Sequence, residues 1–359
     1  MGNARSKPWF KTRAALIVLT FAAATMGGAG FYIIGLPSPW LGGSMLATMV
    51  LCLAGIRAYV PKAAGTAVFI ILGLSIGSSV DWHTLSLMKT WPASLAILTV
   101  TMCAVTLVLQ FYYRWAYGWD RRTCFFASVP GALSTVVIFA VEYKADVLKV
   151  TIVQCVRLAF LVALLPVAVT ALGLQSSGGA KMPAPVHSVR DLVIVFAVGA
   201  AGGFLFQKLR VPAGMLLGAA ASNIALHLGG VVEGSLPSWI MIPTYVLLGA
   251  YIGARFSGIH PKMLVESAGA GIKGCLLASG IAVAGAVTVS WMADLPYPDT
   301  LLAFAPGGLD AMTIMAFALG ADPAYVGVHQ IFRFLMMSLA MPLVSIWLKK
   351  PAPHAKLTD

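Results

Sequence analysis

Ten apolar runs divided by short polar stretches set the pattern of the chain. They lie at about 14–36, 40–56, 64–80, 91–113 and 150–173, then at about 191–207, 212–229, 239–254, 264–292 and 324–348. Each is near the ~20 residues that a helix needs to cross a bilayer core. The pattern predicts an all-α, polytopic membrane protein of about ten transmembrane helices. Arg5, Lys7, Lys11 and Arg13 precede the first run, as in a signal peptide. Gly27, Gly28 and Phe31, however, recur as Gly202, Gly203 and Phe206, so the run reads as a retained helix.

Two further segments, 123–143 and 300–319, are apolar but interrupted by V-P-G-A-L-S and A-P-G-G-L-D. Each could span as a kinked helix, giving twelve crossings, or dip in and return as a broken segment, giving ten. They belong to a duplication. Residues 130–166 and 306–342 align without a gap at an offset of 176, with 11 of 37 positions identical. The identities include Pro130/Pro306, Gly131/Gly307, Asp146/Asp322, Gln154/Gln330 and Arg157/Arg333. A merely apolar composition would not align helix breakers and ionisable groups, so this is an internal repeat. Upstream the match continues through Pro37/Pro212, Gly43/Gly218, Gly73/Gly249 and Gly77/Gly253. Residues 1–174 then form repeat 1, 175–188 a polar linker and 189–359 repeat 2, each repeat holding five spans and one broken segment.

Charge decides between ten and twelve crossings. With ten and a cytoplasmic N-terminus, 18 Lys and Arg fall inside and three (Lys89, Lys181, Arg190) outside; with twelve the split is 14 to 7. The positive-inside rule favours ten. Five crossings per repeat is odd, so the repeats face opposite ways. Both termini are then cytoplasmic, in a bacterial-type inner membrane.

Composition agrees: the 359 residues are 59% hydrophobic and 10% charged, with mean hydropathy +0.89. The net charge of +12 sits in loops between spans, which argues against a nucleic-acid partner. The five cysteines are scattered singly, the six histidines are isolated, and there is no P-loop. A disulfide framework, a metal centre, a cofactor and an ATP-driven pump are therefore not expected. The G-x-S-x-G string at Gly73–Gly77 lies inside an apolar span, not at a strand-to-helix turn. No enzymatic activity is expected.

An inverted repeat with one interrupted helix per copy is a signature of secondary transporters. Pro-Gly in mid-membrane frees backbone groups that lipid cannot satisfy, so each break must face protein or a wet cavity, and the half-helix that restarts there offers its N-terminus to an anion. The expected solute site therefore holds Pro130, Gly131, Pro306, Gly307 and Gly308. Arg157 and Arg333 lie roughly 12 to 15 Å into their spans, near the midplane. Each follows a glutamine by three residues, which puts Gln154 and Gln330 on the same helix faces. The two arginines, each with its glutamine, either line the cavity and meet the anionic solute, or each neutralises a carboxylate or a half-helix C-terminus and holds the halves together. Asp310, which replaces Ser134, is a candidate site for a coupling H+ or Na+ or a partner of an arginine. Asp146 and Asp322 precede long helices as caps would, and His329 and Lys273 lack counterparts in repeat 1.

Several of these strings resemble one family, the AbrB-type (AbrB duplication) integral membrane proteins. They are A-P-G-G-L-D (305–310), A-L-G-A-D-P (318–323), H-Q-I-F-R (329–333), the V-P-G-A-L-S copy (129–134) and Leu36-Pro37. The resemblance covers nearly the whole chain, and repeat 1 departs from it at Ser134 and at 142–144. The labels it brings, monooxygenase and regulator, conflict with the lack of metal ligands and of a soluble DNA-reading module; a regulatory role would act through a transported metabolite. The expected function is transport of a small, anionic solute through a midplane site where the repeats meet. The alternative is a membrane-embedded sensor that binds such a solute without moving it. Homo-oligomerisation is left open.

Overall fold

The computed structural model describes residues 13–80, 82, 91–130, 133–174, 188–211, 213–259 and 261–348; within these, the side chains at 133–135, 261–266, 310, 338 and 341–348 are outside the description. The expected linker thus falls almost wholly outside the described residues. Those described contain fourteen α-helices and no strand. Repeat 1 supplies α1 (Arg13–Ile34), α2 (Pro39–Leu53), α3 (Lys62–Gly77), α4 (Trp91–Tyr117), α5 (Arg121–Ser128), α6 (Leu133–Glu142) and α7 (Val147–Ala171). Repeat 2 supplies α8 (Val189–Lys208), α9 (Gly214–Leu228), α10 (Ser238–Gly253), α11 (Pro261–Ala293), α12 (Tyr297–Phe304), α13 (Leu309–Leu319) and α14 (Pro323–Leu348).

All ten apolar runs are helices. Those of α1, α4, α7, α8, α10 and α11 are long and apolar enough to cross a membrane, while α2, α3 and α9 are shorter apolar helices packed inside the bundle. Ile33 (83% exposed), Phe111 (72%), Trp115 (78%) and Trp291 (86%) stand on the outside. Such a surface is unfavourable in water and natural in lipid. The chain is a polytopic helical membrane protein.

The two repeats are woven through each other by bare backbone. A Cβ at Gly73 of α3 would lie 2.3 Å from the Leu216 carbonyl oxygen of α9, and one at Gly77 would lie 2.7 Å from that of Ala220. At the equivalent positions of α10, a Cβ on Gly249 would lie 2.7 Å from the Leu41 carbonyl of α2, and one on Gly253 would lie 2.6 Å from that of Met45. Glycine is required for so close an approach. Tyr251, near the end of α10, meets Gly65 and Phe69, near the start of α3. The equivalent helices α3 and α10 therefore run antiparallel, and the repeat is inverted.

The broken segments do not span. α5 and α12 have 8 residues, α6 has 10 and α13 has 11. At 1.5 Å per residue each is about 12 to 17 Å long, roughly half a bilayer core. The chain also returns to where it entered. Arg122 Nη1 donates to the Tyr143 carbonyl at 3.2 Å, and the Asp146 amide donates to Thr123 Oγ1 at 2.8 Å. In repeat 2 the Asp322 amide donates to Asp299 Oδ1 at 3.0 Å. Contacts between the base of the first half-helix and the end of the second make each segment a hairpin that returns on itself. The second half-helix of each hairpin stops in a left-handed turn, at Lys144 (φ 55°) and Gly320 (φ 70°). Repeat 2 fills this position with the residue that adopts it without strain, repeat 1 with one that does not.

Candidate functional site

A half-helix that stops in the membrane leaves its last carbonyls without partners. Here a glutamine behind each hairpin supplies them. From α7, Gln154 Nε2 donates to the carbonyls of Phe126 (3.0 Å) and Val129 (2.8 Å) at the end of α5. From α14, Gln330 Nε2 faces the carbonyls of Leu302 (2.8 Å), Ala303 (3.2 Å) and Ala305 (3.4 Å) at the end of α12. Phe126/Leu302 and Val129/Ala305 are again equivalent at the offset of 176, so one device serves both copies. The three-residue spacing carries an arginine on the same face, one turn further along.

The arginines differ in what they hold. Arg333 donates from Nη1 to the Ala305 carbonyl and from Nη2 to the Gly307 carbonyl, clasping the second break directly. Arg157 donates from Nη2 to Gln154 Oε1; among the described residues its Nη1 has no partner, nor has Arg333 Nε. Arg157 is 5% exposed and Arg333 3%. Among the described residues neither forms an ion pair, and each guanidinium feels the charge of the other. Two cations held this way are costly, and a ligand anion would offset that cost.

Both line a cavity of about 780 Å³ between the hairpin tips, beside the crossing of α3 and α10. Pro130, Gln154, Arg157, Pro306, Gly307, Gly308 and Arg333 are in its wall. Gly308 caps α13 without any side-chain hydrogen bond, which leaves the N-terminus of that half-helix open to an anion. Gln330, by contrast, is fully buried behind the wall, because its amide is occupied with the break it supports. Gly131 lies outside the described residues. So does the side chain of Asp310, whose backbone is in the first turn of α13.

Sequence reasoning missed the opposite wall. Lys62, Thr66 and Phe69 of α3, Gln207 of α8, and Tyr251 and Arg255 at the end of α10 also line the cavity. Lys62 is exposed at the mouth, and the Arg255 guanidinium lies over the Tyr251 ring at 5.4 Å. A helix start (α3) and a helix end (α10) share this mouth, because the repeats are inverted. That inversion was the available signal, since it brings the Lys62 and Arg255 loops to one side. His329 and Lys273 are elsewhere. His329 is buried, with Nδ1 at 2.8 Å from the Tyr325 carbonyl and Nε2 at 2.7 Å from Ser94 Oγ, and Lys273 is exposed on α11.

The family described as "Transition state regulatory protein AbrB" matches residues 40–349. The Escherichia coli (strain K12) protein named "Putative regulator AbrB" is 27% identical over 336 residues, covering 90% of this chain and 94% of its own. The Bacillus subtilis (strain 168) protein named "Uncharacterized protein YhjN" is 26% identical over 358 residues, covering 89% of this chain and 90% of its own.

Proposed function

Because this chain belongs to the AbrB family, whose description names a regulatory role but no ligand, its chemistry has to be read from the cavity, and we propose that it is a secondary transporter of a small anionic solute. One observation carries the reading. Two buried guanidinium groups, in no ion pair among the described residues, stand at the floor of a cavity between two inverted re-entrant hairpins. Arg157 and the uncapped start of α13 bind the anion, and Arg333 holds the break that forms the floor. Glycine crossings between α2 and α10 and between α3 and α9 are related by the inversion, so a mouth of the same construction can form on the opposite side when one pair rocks against the other. Asp310, at the start of α13, is the coupling site for H+ or Na+.

In this reading the protein lies in a bacterial inner membrane with both termini cytoplasmic, and the cavity opens to the cytoplasm through Lys62 and Arg255. The test is flux: protein reconstituted in liposomes and loaded with pooled organic and inorganic anions should show counterflow of one of them. Saturable binding without flux would instead support a solute sensor, the reading that the E. coli relative's name favours. Orientation is tested separately. A cysteine placed near Lys181 should label from outside the cell, and one near Arg122 only after the cells are opened.

A further inference from the structure

The cavity grades from polar mouth to cationic floor across an apolar wall. Lys62 at the mouth is exposed and Arg255 half-buried, while Arg157 and Arg333 at the floor are 5% and 3% exposed. Between them the wall is made by Val60, Phe69, Leu158, Met215, Tyr251 and Phe334. Phe69 and Tyr251 meet edge to face across the repeat boundary with ring centres 6.3 Å apart. Aromatic surface is thereby offered to whatever fills the middle of the cavity.

At the floor Arg333 Nη1 and Nη2 meet the carbonyls of Ala305 and Gly307, and Arg157 Nη2 meets Gln154 Oε1. Arg157 is bonded to no carbonyl of its break among the described residues, so its guanidinium is the one with donors to spare for an acid group. An inorganic anion bound there would fill a small part of about 780 Å³ and leave the apolar wall facing water. A hydrocarbon or ring behind the acid group would cover that wall and gain by it.

We infer that the solute is an amphipathic anion, a carboxylate or similar acid group on an aromatic or branched hydrocarbon body, bound acid end first against Arg157 with its body along Phe69 and Tyr251. This rests on the reading of the cavity as an anion site and narrows it.

Calorimetric titration of the purified full chain tests it with acetate, butyrate, hexanoate and 3-phenylpropionate, with sulfate and phosphate, and with neutral 3-phenylpropanamide. Affinity should rise about fourfold per methylene along the aliphatic acids and be tightest for 3-phenylpropionate. The amide should bind about a hundredfold more weakly than the acid. Arg157→Gln should erase the preference for acid over amide, and Arg157→Lys should restore part of it. A flat series, sulfate equal to 3-phenylpropionate, or no acid binding at all overturns the amphipathic class while leaving an anion site standing. Equal affinity for acid and amide in the unmodified protein overturns the anion reading itself.

Discussion

The two hairpins are the same device put to different uses. Both return to where they start, both break at Pro-Gly, and both have a glutamine bonded to the carbonyls of the first half-helix. They diverge in what the arginine holds and in the residue at the base. In the second hairpin Arg333 clasps two carbonyls of the break; in the first, Arg157 leans on Gln154, and its Nη1 has no partner among the described residues. At the base, the Thr123 hydroxyl receives the Asp146 amide, whereas the equivalent Asp322 amide is received by the Asp299 carboxylate. On the proposed reading this is a division of labour: the second hairpin is fastened from behind as a fixed floor, and the first offers its arginine to the solute.

The largest effect should come from the fastening. Gln330→Leu strands the carbonyls of Leu302 and Ala303, while that of Ala305 keeps Arg333 and the Gly307 amide, and Gln154→Leu strands those of Phe126 and Val129, so each should cost about 2 kcal/mol. Thermal melts in detergent read both, and a loss at one alone would show that the glutamines do not serve the two hairpins alike. Next come the arginines. Arg157→Gln should weaken 3-phenylpropionate binding by about a hundredfold while leaving the melting temperature nearly intact, and Arg333→Gln should lower the melting temperature. A reversed pattern would exchange the roles of the hairpins.

Smaller effects probe the bases. Asp299→Thr copies the arrangement of repeat 1; it keeps the hydrogen bond to Asp322 and removes a carboxylate that is 8% exposed, so stability should hold or rise. A melting temperature well below that of the parent would show that the carboxylate is needed there. The smallest is an acid effect on Asp146. Burial acts to raise its carboxyl, but hydrogen bonds from the Lys149 side chain and amide outweigh it, so the group titrates below its usual 3.8. Its contribution is therefore present above that value and fades as pH falls through the lower, folded one. The Lys149–Asp146 pair is 42% and 38% exposed, which keeps the contribution under about 1 kcal/mol. Asp146→Asn should remove that part of the acid sensitivity, read as melting temperature from pH 2 to pH 6.

Much of this was legible because the sequence is written twice. The breaks, the glutamines and the arginines stand out at an offset of 176, and the charge split between loops predicted hairpins that return. What repetition could not reveal is what differs between copies. Arg157 and Arg333 are the same letter, and only the positions of nearby carbonyls give them different tasks. Gln330 looked like a cavity residue because its face was correctly predicted, but its depth behind the break was not. The far wall, from Lys62 to Arg255, is assembled by inversion, which places the start of one helix beside the end of its equivalent, a juxtaposition with no local sequence mark.

The glycine crossings also set a timetable for biogenesis. Gly73 on α3 finds its partner, Leu216, roughly 140 residues later in the chain. At the ordinary pace of synthesis that is a wait on the order of ten seconds. During it the bare faces of α2 and α3 have left the ribosome with nothing to close against, and α10, their other partner, emerges later still. A bulky residue at Gly73 or Gly249 would therefore act first on the yield of inserted protein, through degradation of stalled halves, before any loss of stability could be measured on molecules that had finished assembling.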